Sequence, residues 1–127
     1  MDVELSTEYL GLELTSPIIA AASPCTGQPD VLKRLEACGA GAAVLPSLFA
    51  EQITQGPGRT QVVSDVTDKG CATSSFPTLR DYNRGPDSYL DLIDDARRAV
   101  SMPIIASLNA STSADWVQYA QRIADAG

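Results

Sequence analysis

Three short runs of apolar residues, Ile18–Ser23, Ala42–Leu45 and Ile104–Leu108, punctuate the chain, and the segments that follow them carry apolar side chains at helical spacing. Runs that are apolar throughout are typical of strands covered on both faces, and their alternation with amphipathic helices argues for a parallel sheet with right-handed crossovers. The expected class is therefore α/β, in the order strand, helix, strand, long loop, helix, strand, helix.

The spacing predicts a first helix opened by Pro29 in its first turn, with Val31, Leu32, Leu35 and Cys38 on one face and Gly39 closing it. Cys38 is accordingly expected in the core. In "GPDSYLDLIDDARRAV", Tyr89 or Leu90, Ile93, Ala96 and Val100 share one side. Asp87, Asp91, Asp94 and Asp95 lie towards its start and Arg97 and Arg98 towards its end, which complements the helix dipole. Pro103 stops it. Ser111, Thr112 or Ser113 can cap a last helix whose apolar positions are Trp116 or Val117, Ala120, Ile123 and Ala124. Between the second strand and the second helix, Pro46 to Gly85 shows no clear periodicity and is rich in Gly, Pro, Ser, Thr and Gln. It is too long for an ordinary connection and reads either as a functional loop or as an excursion.

A chain of 127 residues with 44% hydrophobic and 20% charged composition is expected to form a soluble globular domain. No apolar run approaches the roughly 20 residues a membrane span needs, and the acidic start "MDVELSTEYLGLEL" lacks the basic head of a secretory signal, so the expected location is the cytoplasm. Three cysteines without CxxC spacing indicate neither a disulfide framework nor a zinc site. A net charge of −7 argues against binding to nucleic acid or to an anionic membrane surface. With no histidine, the usual proton shuttle and the commonest metal ligand are both absent; acid–base chemistry would fall to Asp, Glu, Cys, Lys, Tyr or a cofactor, and no metal site is expected.

The turn "AAASPCTGQPD" contains neither GxGxxG nor a P-loop, so a doubly wound nucleotide fold is the weaker reading and a TIM barrel the stronger. Such a barrel takes about 250 residues in eight units, and the sequence supplies roughly three. The segments "RLEACG" (34–39) and "RIADAG" (122–127) are near copies, and the first is followed by a strand. The expectation is a single partial domain, residues 1–127, forming the N-terminal segment of a TIM (β/α)8 barrel truncated before its fourth strand.

Three segments, "YLGLELTSPIIAAASP" (9–24), "RLEACGAGAAVLPSLFAEQI" (34–53) and "MPIIASLNASTSADWVQYAQRIADAG" (102–127), in this order and spacing, resemble the FMN-containing dihydroorotate dehydrogenases, and most closely the dihydroorotate dehydrogenase-like branch. The resemblance implies a TIM barrel with FMN at the carboxyl ends of its strands, hydride transfer from a C–H bond of a small, pyrimidine-like substrate to flavin, and a place in pyrimidine biosynthesis. It implies cofactor contacts at Ala22, Ser23 and Ser47; Asn109, just after the third strand, faces the same end of such a barrel by its position and is the candidate to reach flavin or substrate. Pro24 stands where the family often has Gly, and Pro46 where its typical dehydrogenases have a lysine beside the flavin. In "CATSSFPTLRDYNRG" (71–85) no counterpart of the family's substrate-gripping NSMGLPN-type segment is evident. The family's catalytic base follows strand four, so no catalytic residue is assigned.

Each of these positions has a plainer reading. Ser23 and Ser47 are small residues of the kind that pack or cap at strand ends, and "NASTS" around Asn109 is ordinary capping chemistry. Cys25 has no adjacent base and reads as a bystander thiol; Asp91, Asp94 and Asp95 read as solvated charge. Arg59, Lys69, Arg80 and Arg84 are the basic residues available to an anionic substrate or the FMN phosphate. Two rival functions stand beside the oxidoreductase: a flavin-free TIM barrel that binds or cleaves a phosphorylated metabolite, and an inactive fragment. The 127 residues alone are expected to lack activity, and open strand edges make a homo-oligomer a further expectation.

Overall fold

The computed structural model describes residues 3–49, 86–110 and 112–127. The segment 50–85, with Arg59, Lys69, Arg80, Arg84 and Cys71, lies outside the described residues, as does Ser111. The first element is a hairpin that the apolar periodicity does not announce. Strands β1 (Thr7–Tyr9) and β2 (Leu12–Leu14) pair antiparallel, with Tyr9 opposite Leu12. The two residues between them, Leu10 and Gly11, have φ of 55° and 76°, the left-handed pair that matches a tight hairpin to the twist of its strands.

A parallel three-stranded sheet follows, built from β3 (Ile19–Ala20), β4 (Ala42–Phe49) and β5 (Ile104–Asn109) in that spatial order. Among the described residues, the helices α1 (Pro29–Ala37), α2 (Pro86–Ala99) and α3 (Ser113–Asp125) alternate with the strands. One apolar cluster joins Ala43, Leu45 and Leu48 of β4 to Leu32 of α1, to Tyr89, Leu92, Ile93 and Ala96 of α2, and to Tyr119 of α3. All three helices therefore cover the same face of the sheet. Alternate residues, Val44, Ser47 and Phe49 on β4 and Ile105 and Ser107 on β5, carry the opposite face and remain half-buried. Full burial on both faces, expected from the continuous apolar runs, is not what the described residues show.

The first strand is shorter than its sequence. Only Ile19 and Ala20 pair with β4, because the chain turns at Ser23: the Thr26 backbone N–H and hydroxyl both donate to the Ser23 carbonyl, and the Ser23 N–H donates to the Thr26 hydroxyl. These bonds close a short 3-10 turn over Pro24–Gly27. The second strand is longer than expected, running through Pro46 to Phe49. Between Val44 and Ser47 two residues of β4 stand opposite one of β5, and this bulge is how a proline without an N–H is tolerated in a central strand.

Helix α1 ends as its sequence indicates. Gly39 takes φ of 92°, its N–H donates to the Glu36 carbonyl, and the Ala40 N–H donates to the Leu35 carbonyl, which together form a Schellman closure. Cys38, however, is exposed. It is the residue at which the helix ends, and the buried side of α1 is centred on Leu32, with Val31 and Leu35 half-buried. Glu36 reaches out of this helix to accept hydrogen bonds from the Ser101 and Met102 N–H groups at 2.8 and 2.7 Å, pinning the turn that leads into β5. Glu36→Ala is expected to lower the unfolding free energy by about 1–2 kcal/mol, since two charge-assisted bonds are lost. Urea denaturation at constant m-value measures it.

Helix α3 is rotated from its expected setting. Thr112 caps it, its hydroxyl accepting from the Asp115 N–H. The buried residue is Tyr119, with Ile123 and Ala126 half-buried, whereas Trp116, Val117, Ala120 and Ala124 are exposed. Two contacts with α2 fit this setting: Arg122 pairs with Asp87 at 2.8 Å, and Arg97 donates to the Ala126 carbonyl at 2.9 Å. Among the described residues no helix is long and apolar enough to cross a membrane.

Candidate functional site

In a parallel sheet every strand runs towards the same edge, so the carboxyl ends of β3, β4 and β5 lie along one side of the sheet. Ala22 and Ser23 follow β3, Ser47 lies near the end of β4, and Asn109 ends β5. Ala22 and Asn109 are exposed, Ser23 and Ser47 half-buried. The turn carrying Ser23 lies against β4: a Cβ added to Gly27 would come within 3.0 Å of Pro46 Cγ, one residue before Ser47. The register places Phe49 opposite Asn109 and Ser47 opposite Ser107.

Ser107, the residue that Ser47 touches, is not among the sequence-based candidates. The two hydroxyl oxygens are 2.8 Å apart. A signal for it exists as a repeated dipeptide: "PSLF" and "ASLN" place Ser-Leu at the end of consecutive strands, and the bulge brings the two copies into register. Behind this pair lies Tyr89 of α2, also outside the sequence-based candidates. Its hydroxyl donates to the Ser107 carbonyl at 3.2 Å and accepts from the Ser107 N–H at 3.1 Å. Burial raises the Tyr89 pKa above the ordinary value of 10.0, a shift that its bond to the Ser107 backbone opposes. At neutral pH it is an uncharged phenol with both hydrogen-bonding roles in use.

The assembled groups, Ala22, Ser23, Ser47, Ser107 and Asn109, are all uncharged. They can donate and accept hydrogen bonds to a neutral polar ligand, and they offer no proton-transfer group of their own. Cys25 is exposed in the turn next to Ser23. Among the described residues no three Cys, Asp or Glu side chains converge on a point where an ion could bind. Pro46 packs its ring towards Gly27 and brings no cation to this edge. The chain matches no protein-family model and has no match among curated proteins.

Proposed function

We propose that the protein is an FMN-dependent oxidoreductase of the dihydroorotate dehydrogenase kind, in which these residues form the first strands of a TIM barrel and one side of the flavin site. The observation that carries this reading is the row of uncharged hydrogen-bonding residues, Ser23, Ser47 and Asn109, at the carboxyl edge of a parallel sheet. Ser23 and Ser47 are positions at which the family resemblance implies cofactor contacts, and Asn109 stands at the same edge by its place at the end of β5. The donor set suits the neutral polar edge of an oxidised isoalloxazine: Asn109 offers an exposed amide and Ser47 a hydroxyl, and Ala22 is small and exposed. When bound, FMN supplies the acceptor for a hydride. The residues described would orient the ring and exclude water from one side, and the base that removes the substrate proton is not among them.

The test is direct. Protein purified from cells grown with ample riboflavin should be yellow, and FMN added to stripped protein should raise its melting temperature. A colourless preparation indifferent to FMN overturns the proposal.

A second reading is favoured by one observation, the proline bulge where a cation would stand beside the reduced flavin. On that reading the barrel binds or cleaves a phosphorylated metabolite without flavin. A melting temperature raised by sugar phosphates and not by FMN would select it.

A further inference from the structure

We propose that Tyr89 is the positioning residue of this edge: its hydroxyl, reaching from α2 to the backbone of β5 beside the Pro46 bulge, fixes the peptide that aims Ser107 at Ser47. Only the FMN-binding part of the test below rests on the proposed function.

The bulge creates the need for such a residue. Regular parallel pairing gives each backbone N–H and C=O of a central strand a partner on a neighbouring strand. Across from β5, however, Leu45 and Pro46 share the space of one residue, and Pro46 has no N–H to give. A backbone group left unbonded in a buried place is costly, and a side chain that both donates and accepts can satisfy two such groups at once. The phenol of Tyr89 does both for one residue, Ser107.

The ring and the hydroxyl of Tyr89 have separate tasks. The ring is 2% exposed and belongs to the apolar cluster with Leu92 and Ile93. The hydroxyl is the polar tip that a buried tyrosine must place on a partner, and here the partner is backbone rather than water. Because a side chain leaves its backbone in a direction the backbone sets, holding both polar groups of Ser107 holds the Cα–Cβ bond that points its hydroxyl at Ser47. Asn109, two residues on and on the same face, inherits the same frame. Burial keeps the phenol protonated, so both bonds persist across neutral pH.

Tyr89→Phe keeps the ring and deletes the two bonds; Leu92→Ala serves as a control that weakens the same core without touching them. In the full-length chain, amide hydrogen exchange at Ser107 should quicken by about tenfold or more in Tyr89→Phe, with the acceleration confined to β5 and the bulge. In Leu92→Ala, exchange should quicken evenly through the sheet. The dissociation constant for FMN should rise by about tenfold in Tyr89→Phe and stay unchanged in folded Leu92→Ala. Exchange at Ser107 that is unaltered in Tyr89→Phe, or altered as evenly as in Leu92→Ala, overturns the assignment. So does failure of Tyr89→Phe to fold where Leu92→Ala folds, since the hydroxyl would then govern the fold and not the edge. If the wild-type protein binds no FMN, the proposed function falls while the exchange measurement still decides the role of Tyr89.

Discussion

Gly41→Ala is expected to lower the unfolding free energy by about 3 kcal/mol, the upper end of what overpacking a well-packed site costs. The reason is a backbone contact and not a strained dihedral. A Cβ on Gly41 would fall on the Ser16 carbonyl oxygen, with the Ser16 carbonyl carbon and nitrogen at 3.0 and 3.1 Å. None of these atoms belongs to a flexible side chain that could swing away. The same junction is tied three more ways: the Gly41 N–H donates to the Ile18 carbonyl at 2.8 Å, the buried Ser16 hydroxyl donates to the Gly39 carbonyl at 2.6 Å, and it accepts from the Ile18 N–H. Moving Ser16 to admit a methyl group would therefore disturb both the start of β3 and the closure of α1. Gly11→Ala supplies the comparison. Nothing lies within 4 Å of its Cβ position, so only its left-handed backbone is strained, at about 1 kcal/mol. Urea midpoints for the two variants should differ accordingly. Equal midpoints would mean that the junction yields at little cost.

Much of the architecture follows from patterns that local sequence carries. The turn at Gly39 is legible because a glycine directly after the last position of a helical apolar pattern can take the left-handed conformation that satisfies the last carbonyls. Helix α2 is legible because Tyr89 or Leu90, Ile93, Ala96 and Val100 recur at intervals of three and four residues, and Tyr89, Ile93, Ala96 and Val100 are buried. What escapes a local reading depends on partners distant in sequence. The hairpin strands are three residues each, and the alternation Leu12-Glu13-Leu14 is too short to mark a strand by itself, so the hairpin rests on the pairing across Leu10-Gly11. The extension of β4 past Pro46 is not legible locally, because a proline ends a strand unless its neighbour accommodates a bulge, and that neighbour is β5, far along the chain.

The candidate edge divides in the same way. Ala22, Ser23 and Ser47 can be named because the family resemblance implies cofactor contacts there, and Asn109 because it directly follows an apolar run. Ser107 lies inside its run and Tyr89 in a helix core, where sequence periodicity reports only burial. The contact between Ser47 and Ser107 exists because a register shift aligns them, and no property of either residue alone encodes it.

The second large effect tests how far a repeated sequence carries a repeated environment. Counting back from Gly39 and Gly127, Leu32 of α1 corresponds to Ala120 of α3, and Leu35 to Ile123. Leu35 and Ile123 are both half-buried, and both helices close on a glycine with positive φ, so the copies share their ends. The environments diverge a turn earlier: Leu32 is 0% exposed, whereas Ala120 is exposed. Helix α1 has α2 beside it, and the Glu36 bonds to Ser101 and Met102 hold that arrangement; beyond α3 the described residues contain no further helix. Leu32→Ala should therefore cost about 3 kcal/mol, the transfer energy of the lost methyl and methylene groups plus the cavity they leave. Ala120→Leu should change stability by no more than about 0.5 kcal/mol, as a substitution at an exposed helix position. Chemical denaturation of both variants against wild type measures the pair. Were Ala120→Leu to stabilise the chain by the amount that Leu32→Ala costs, the two helices would have equivalent surroundings after all, and the exposed setting of Ala120, Val117 and Trp116 would not describe the folded protein.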